Sequence, residues 1–223
     1  EATGRYCFEI AQEMHKAKHT VSIENPLKIK RHAQSQMKRN KTDEVDLDVI
    51  KDYAQKNRMD LREWQPKSPQ YARLQEFYRR YDDVVRIRTM EKNHLKAGKQ
   101  DPVVERMIKT SIASRDQELA ELKRLIDVLF KENPELLAAR TLVCSIKGLA
   151  AHTAGRIVAG DPLKFANADA HSAFYGVTPK RNQSGKKTGP SPMTSMGDPG
   201  MRGALYRPAQ TAMIHNPCIN QLT

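Results

Sequence analysis

Residues 104 to 129 read VERMIKTSIASRDQELAELKRLIDVL, and this stretch gives the clearest indication of the fold of the middle of the chain. Its apolar side chains recur every three or four residues, the spacing of one face of an α-helix. They are Val104, Ile108, Ile112, Leu119, Leu122, Leu125, Ile126 and Leu129. A break at residues 97–102 separates this stretch from similar spacing over residues 74–88. The pattern predicts two long helices that form an antiparallel hairpin over residues 68–134.

A hairpin of two helices leaves much of its apolar surface uncovered. Each apolar side chain contributes about 1.5–3 kcal/mol only when it is covered. A second copy of the chain would cover these stripes in a coiled coil, so we expect a homo-oligomer. Packing against the flanking domains of the same chain explains the pattern equally well, because neither apolar run clearly exceeds the roughly three to four heptads typical of a coiled coil.

The composition favours a nucleic-acid partner. The chain has 38 Lys and Arg against 26 Asp and Glu, and this formal net charge of +12 attracts polyanions. No apolar run approaches the roughly 20 residues that span a bilayer, and there is no signal-peptide pattern, so we expect no membrane role. Cys7, Cys144 and Cys218 are scattered, which argues against a disulfide framework or a zinc site and fits a reducing cytoplasm.

The residues before the hairpin predict an α/β domain over residues 1–64. Residues 5–17 have apolar side chains at helical spacing, residues 20–23 form a short β-prone run, and a further helix is predicted from Asp43 to Gln55. Alternating helices and strands indicate an α/β layer. Since the chain begins at Glu1 within a predicted strand-to-helix junction, we expect a fragment that holds the second half of this layer.

The residues after the hairpin, 138–223, predict a mostly α-helical domain. Two short helical patterns flank Gly148, as in a helix-hairpin-helix turn that presents backbone N–H groups to a phosphate. A tight turn without a ligand is the alternative. Residues 165–175 are predicted as a helix that ends at Gly176, and residues 199–213 as another with a proline in its first turn.

Asp43 and Asp46 lie three residues apart at a predicted helix start, and Glu1 supplies a third acid upstream. Residues at this spacing share a helix face, with Cβ atoms about 5–6 Å apart. At an effective dielectric near 20, repulsion between the two carboxylates costs about 3 kcal/mol. Mg²⁺ or Mn²⁺ would remove that cost, because hard cations bind carboxylate oxygens. A solvated first turn, favoured by the helix dipole, is the alternative.

Ser184 lies in a loop, residues 178–189, with four cations around one hydroxyl. A serine hydroxyl needs a base or a metal ion to take its proton, and cations to hold the phosphate oxygens. The loop supplies the cations and no base. A basic loop that only contacts the DNA backbone is the alternative. The basic residues that we assign to nucleic-acid binding are Lys28, Lys30, Arg31, Lys38, Arg39, Lys41, Lys180, Arg181, Lys186, Lys187 and Arg202.

Several short motifs occur together in a characteristic order, up to about Pro217. They are Glu1-Ala2-Thr3-Gly4-x-Tyr6, Asn25-Pro26, Lys41-Thr42-Asp43-x-x-Asp46, the Gly148 turn, Phe174-Tyr175-Gly176-Val177-Thr178-Pro179, Ser184-Gly185 and Gly197-x-x-x-Met201-Arg202-x-x-Leu205-Tyr206. In this combination the chain resembles the insertion-sequence transposases of the "one-ten" class, which include the Piv-type DNA invertases.

The resemblance implies a mixed α/β fold class: a RuvC-like (RNase H fold) domain with a DEDD tetrad, a coiled-coil insertion and a C-terminal transposase domain. Glu1 matches the second acid of the tetrad, Asp43 and Asp46 match the third and fourth, and Ser184 matches the catalytic serine. It further implies that metal-bound acids activate the serine, which attacks a DNA phosphate and forms a phosphoserine link. A structured guide RNA encoded by the element is a further implied partner.

The resemblance also has gaps. The first acid of the tetrad would precede Glu1, so we expect this polypeptide by itself to be inactive. The turn at residues 146–150 lacks the proline and the second glycine of the family's Ile-Pro-Gly-Ile-Gly motif. Two other functions fit the same residues: a RuvC-like metal-dependent DNA nuclease without a covalent serine intermediate, and a decayed, non-catalytic nucleic-acid-binding fragment. Each would act on DNA in a bacterial or archaeal cytoplasm.

Overall fold

The computed structural model describes residues 2, 4–37, 42–180, 183–184, 187–194 and 196–220, with the backbone only for Arg5, Ser184, Lys187 and Thr188. This part of the chain is mostly helical, in agreement with the helices predicted for the hairpin and the C-terminal region. Its contacts divide the chain into two units, residues 1–67 and residues 68–223. No helix in the described residues is long and apolar enough to cross a bilayer.

The first unit contains three helices, α1 (Arg5–Lys16), α2 (Pro26–Ser35) and α3 (Asp43–Lys56). The α2 helix, which the sequence pattern did not predict, follows Asn25, whose side-chain oxygen accepts a hydrogen bond of 2.8 Å from the backbone N–H of Leu27. Proline at the first position of α2 fits there because its missing N–H would have no partner in the helix. The α3 helix begins at the predicted residue.

The described residues contain no strand at residues 20–23, where one was predicted. Instead, the Val21 carbonyl accepts a hydrogen bond of 2.7 Å from the backbone N–H of Trp64, and the Glu24 carbonyl accepts one of 3.0 Å from Ala2. A strand requires a ladder of such bonds with one neighbour. Two single bonds to different partners hold this segment in place without forming a ladder.

Helices α2 and α3 pack together through buried Ile29 and Val49. Beside them, the Asp52 carboxylate accepts hydrogen bonds from Lys56 and His32, at 2.9 Å and 2.7 Å. The hydrogen bond from Lys56, followed by that from His32, lowers the pKa of Asp52 to about 2. The contact with His32 joins α3 to α2, whereas the contact with Lys56 lies within α3.

The second unit begins with the predicted hairpin, formed by α4 (Pro69–Lys96) and α5 (Pro102–Glu132). Arg80 pairs with Glu118 and Arg88 with Asp116, so the two helices run antiparallel. Apolar side chains fill the space between them; the fully buried members are Val84, Leu119 and Leu122.

The base of the hairpin packs against the chain's own later helices, one of the two alternatives that the sequence left open. These helices are α6 (Pro134–Cys144) and α7 (Ala151–Ala159), and the buried cluster contains Leu74, Tyr78, Ile126, Leu129, Phe130, Leu136, Val158 and Ala159. At the other end of the hairpin Met90, Val103, Val104 and Met107 are exposed. The base is therefore covered, while the far end keeps an apolar surface.

The remaining elements lie in residues 162–220. They are a 3₁₀ turn (Pro162–Lys164), α8 (Ala168–Tyr175), β1 (Gln183–Ser184), β2 (Lys187–Thr188), α9 (Pro199–His215) and α10 (Pro217–Asn220). As predicted, α8 ends at Gly176, which has a φ of 66°. As also predicted, α9 begins at Pro199, where the Asp198 side chain accepts a hydrogen bond from Gly200.

The lowered pKa of Asp52 gives a test of the contacts that its carboxylate makes with Lys56 and His32. Asp has an ordinary pKa of about 3.9, so the depressed folded value means that these contacts stabilise the unit above about pH 4 and are lost as the pH falls towards 2. We expect a carbon NMR titration of the Asp52 carboxyl to show a midpoint near 2, raised in Lys56→Met and unchanged in Lys51→Met. A midpoint near 4 in the unsubstituted chain would contradict the described contacts.

Candidate functional site

Asp43 and Asp46 lie in the first turn of α3, whose start is fixed by Thr42. The Thr42 hydroxyl oxygen accepts a hydrogen bond of 3.3 Å from the backbone N–H of Val45. Both carboxylates are exposed, and within the described residues neither side chain forms a hydrogen bond or an ion pair. The cap orients the turn and leaves both acids available to a ligand.

This pair of acids fits part of a divalent-metal site. The two carboxylates supply the hard oxygen ligands that Mg²⁺ and Mn²⁺ prefer. Glu1, the third predicted ligand, lies outside the described residues. Among the residues that are described, no group of three or more His, Cys, Asp or Glu side chains comes together. The structure therefore presents two of the three predicted ligands on one helix turn.

The basic residues of the first unit are divided between α2 and the segment that follows it. Lys28 pairs with Glu24 at 2.8 Å, and this hydrogen bond raises the pKa of Lys28. Lys30 and Arg31 are exposed on α2. The other three predicted residues, Lys38, Arg39 and Lys41, lie outside the described residues. Of the described cations, Lys30 and Arg31 are therefore the better placed to meet a phosphate, since Lys28 already has an acidic partner.

Ser184 lies on a short β-hairpin rather than on an irregular loop. Gln183 pairs with Thr188 and Ser184 with Lys187 in antiparallel register. Nearer the base of the loop, the Lys180 backbone N–H donates to the Pro192 carbonyl at 3.0 Å. Paired arms of this kind restrict the backbone that carries Ser184. Of the other predicted loop cations, Lys180 is exposed and Arg181 and Lys186 lie outside the described residues.

The two ends of residues 177–196, which we call the Ser184 loop, meet at one place. A Cβ on Gly197 would lie 2.5 Å from the Gly176 nitrogen, and a Cβ on Gly176 would collide with the Met196 carbonyl oxygen. Arg202, predicted to bind nucleic acid, donates from its guanidinium to that same carbonyl at 2.9 Å. We call this contact the loop neck. It closes the loop at its base and employs one donor of Arg202.

The neck is attached to α7 on its α8 side by Tyr175. This residue is buried, and a Cβ on Gly160, at the end of α7, would collide with the Tyr175 hydroxyl. Burial raises the pKa of that hydroxyl, so it stays neutral. The close approach of Tyr175 to α7 therefore depends on glycine at position 160.

On its α9 side, the neck lies next to an ion pair with a buried arginine, which the sequence pattern did not predict. Arg156 of α7 is 8% exposed, and both of its terminal nitrogens donate to the Asp82 carboxylate of α4. Burial disfavours the charge of Arg156, but hydrogen bonds and charge from Asp82 outweigh it and raise the pKa of the guanidinium. Its terminal nitrogen also lies 3.8 Å from Asp198, which caps α9.

The turn around Gly148 is packed against α9. Gly148 has a φ of 107°, and a Cβ there would lie 2.9 Å from the Ala212 side chain and 3.0 Å from the Pro208 carbonyl oxygen. The Asn216 side chain also donates to the Lys147 carbonyl at 3.4 Å. Close packing against α9 therefore accounts for glycine at position 148 without a phosphate ligand, as in the alternative of a tight turn without a ligand.

Two side chains from the arms of the Ser184 loop complete an apolar groove beside this turn. Val177 and Met193 line it together with Leu149 of the turn and Leu205 of α9. Apolar contact at both arms adds to the neck in holding the base of the loop against α9. The neck and the apolar groove therefore both hold the base of the loop that carries Ser184.

Comparisons with known proteins match two regions of the chain. A family model of IS110-type DEDD transposases, described as "Transposase", matches residues 1–98, and a second, described as "Transposase IS116/IS110/IS902 family", matches residues 140–223. The chain is 29% identical over 214 residues to a pilin gene-inverting protein of Moraxella lacunata, and equally to one of Moraxella bovis. Each alignment covers 94% of this chain and 65% of the relative, so the chain spans less than two thirds of their length.

The packing of Gly148 can be tested with a glycine of similar conformation. Gly98 has a φ of 141° and nothing within 4 Å of the place of a Cβ, so Gly98→Ala carries conformational strain alone. We expect Gly148→Ala to lower the free energy of unfolding in urea by about 1–3 kcal/mol more than Gly98→Ala, the usual range for overpacking. Equal losses in the two variants would show that α9 does not require this glycine.

Proposed function

The chain belongs to the IS110-class transposase family, and from this we propose that it acts in DNA transposition or site-specific recombination, cutting and rejoining DNA through Ser184. The observation that carries the proposal is that models from one transposase family match both the acid-bearing and the serine-bearing regions. The name of the two relatives, pilin gene-inverting protein, describes a DNA rearrangement and supports the same class of reaction.

DNA is the substrate that the charge of the chain favours. The formal net charge of +12 attracts a polyanion over several ångströms, and exposed Lys30, Arg31 and Lys180 are free of acidic partners within the described residues. Contacts of this type neutralise phosphates without reading the base sequence. A structured guide RNA held by residues 28–41 would supply the sequence information that phosphate contacts lack.

Asp43 and Asp46, together with Glu1, are the residues that we assign to a Mg²⁺ or Mn²⁺ ion. When bound, such an ion supplies Lewis acidity, which lowers the pKa of a hydroxyl and stabilises charge on a phosphate. The exposure of both described carboxylates and their first-turn position support this assignment. The basic residues next to Ser184 cannot take the proton of its hydroxyl, so the proposal assigns the activation of that hydroxyl to a metal ion held by the acids.

Ser184 is the nucleophile in this proposal. Its Oγ forms a bond to a backbone phosphorus while one P–O bond of the DNA breaks and leaves a free hydroxyl end. The serine proton is released to solvent water as the bond forms, and the departing DNA oxygen takes up a proton from water. A new DNA hydroxyl then attacks the phosphoserine and loses its proton, while the departing serine oxygen regains one, which restores the serine. Lys180, Arg181, Lys186 and Lys187 hold the phosphate oxygens as charge develops on them. Because the energy of the broken bond is kept in the phosphoserine, rejoining needs no other energy source.

The proposed organisation has three parts: a RuvC-like domain over residues 1–64, a coiled-coil insertion over 68–134 and a transposase domain over 138–223. The match of a DEDD transposase model to residues 1–98 supports the first part. The exposed apolar end of the hairpin, at Met90 and Met107, supports association with another copy of the chain. We expect the protein to act in the bacterial or archaeal cytoplasm.

The covalent link distinguishes this function from its two rivals. We expect the complete protein, mixed with radiolabelled donor DNA, the element's RNA and Mg²⁺, to give a protein–DNA adduct that survives SDS. The adduct should be absent in Ser184→Ala because the attacking oxygen is removed, and strongly reduced in Asp43→Asn and Asp46→Asn because a metal ligand is lost. Asp48→Asn, on the same helix but outside the assigned set, is the matched control and should form the adduct normally.

Each rival gives a different result in this assay. A RuvC-like nuclease that uses water would cut the DNA without an adduct, and Ser184→Ala would cut as well as the unsubstituted protein. A non-catalytic nucleic-acid-binding protein would shift the DNA in a gel without cutting it. Either result would exclude the serine mechanism.

A further inference from the structure

The start of α9 is held by a carboxylate with two contacts. One oxygen of Asp198 accepts a hydrogen bond of 2.8 Å from the Gly200 backbone N–H and so caps the helix. The other oxygen faces the Arg156 guanidinium at 3.8 Å. Gly200 allows this approach, because a Cβ there would collide with the guanidinium and lie 3.1 Å from the Asp198 and Asp82 oxygens. Arg156 is thus fitted between α4 and the first turn of α9.

The residue before Asp198 belongs to the loop neck. Gly197 contacts Gly176 and Tyr175, and Met196 accepts the hydrogen bond from Arg202. A displacement of the first turn of α9 therefore moves the neck directly, with no intervening flexible residue. The other side of the neck rests on α7 as well, through Tyr175 and Gly160. Arg156 and Gly160, four residues apart on α7, consequently hold the two sides of the same neck.

Stability alone is a poor explanation of the Arg156–Asp82 pair. Burying the charge of Arg156 costs hydration energy, and the attraction of Asp82, whose side chain is 38% exposed, often only balances that cost. The planar guanidinium instead fixes an orientation, because its two terminal nitrogens donate to both oxygens of one carboxylate. The geometry that this pair fixes is the approach of α7 to α4, and from that position Arg156 also faces Asp198 at the first turn of α9.

We infer that Arg156 is a positioning residue for Ser184: by holding Asp198 and Gly200 against Asp82, it fixes the loop neck and hence the place of the serine. The inference rests on the proposed function for its consequence in catalysis, but not for its structural content. Arg156 does not touch the DNA in this account. It acts through α9 and the neck, and Asp82 supplies the fixed point on the hairpin.

Gly200→Ala and Gly203→Ala form a matched pair for the test. Both variants place alanine in α9, where alanine forms a helix more readily than glycine. Only Gly200→Ala displaces the guanidinium of Arg156, because nothing lies within 4 Å of a Cβ on Gly203. Arg156→Lys keeps the charge and loses the bidentate geometry. Since the Arg156 terminus is the far end of a flexible side chain, Gly200→Ala is expected to fold, as a thermal melt would verify.

The first readout is amide hydrogen exchange of the Ser184 loop in the chain itself, with the Lys180 N–H, which is bonded to the Pro192 carbonyl, as the reporter. We expect exchange of this amide to rise about fivefold or more in Gly200→Ala and Arg156→Lys, because the neck opens locally, while amides of α5 keep their rates. Gly203→Ala should match the unsubstituted chain. Unchanged exchange at Lys180 in both test variants would overturn the inference, and so would an equal rise in Gly203→Ala.

The second readout is the rate of adduct formation by the complete protein in a single turnover, with the Kd for DNA measured in parallel. A misplaced serine should lower the rate about tenfold or more while the Kd stays within about twofold, because positioning affects the reaction and not DNA binding. If the Kd for DNA rises by the same factor as the rate falls, a positioning role is contradicted. If the unsubstituted protein forms no adduct, the proposed function fails, whereas the hydrogen-exchange result still decides the positioning of the loop.

Discussion

The second unit depends on the close approach of α7 to the hairpin, and that approach depends on a residue without a side chain. A Cβ on Gly155 would collide with the Tyr78 hydroxyl and lie 2.9 Å from the Phe130 ring. Tyr78 uses the space to donate a hydrogen bond of 2.9 Å to the His152 carbonyl. Because α7 lies this close to α4, the next residue, Arg156, reaches Asp82 with both terminal nitrogens. Apolar packing thus brings the ion pair together.

The same helix links packing to the candidate chemistry. From α7, Arg156 reaches the first turn of α9, and Gly160 receives Tyr175 at the end of α8. The Ser184 loop lies between these two helices, and its arms are paired above a closed neck. A serine used as a nucleophile must arrive at a phosphorus at a defined distance and angle, which a backbone fixed at its base favours. Asp43 and Asp46 lie in the first unit, whereas Ser184 lies in the second. We propose that the acids and the serine act on the same DNA substrate.

The parts of this fold that the sequence predicts are those governed by local spacing. Apolar periodicity predicts α4 and α5, and the chemistry of helix ends predicts the boundaries at Gly176 and Pro199. The predicted strand at residues 20–23 fails because a β-prone run still requires a neighbour to form a ladder. The Arg156–Asp82 contact joins residues 74 positions apart, and no local pattern identifies such a partner. Arg156 is followed in α7 by the apolar residues Ile157, Val158 and Ala159, which indicates a partly buried position, but this pattern does not identify the acidic partner.

The most direct test of the proposed function is whether a metal ion bound at Asp43 and Asp46 comes close to Ser184 when DNA is present. Fe²⁺ in place of Mg²⁺, treated with ascorbate and peroxide, cleaves the polypeptide backbone close to the ion. In the complete protein with its DNA and RNA, the account predicts cleavage near residues 43–46 and a second set of cuts near Ser184, both lost in the double variant Asp43→Asn/Asp46→Asn. Cuts confined to the neighbourhood of Asp43 and Asp46 in the DNA-bound protein would contradict it.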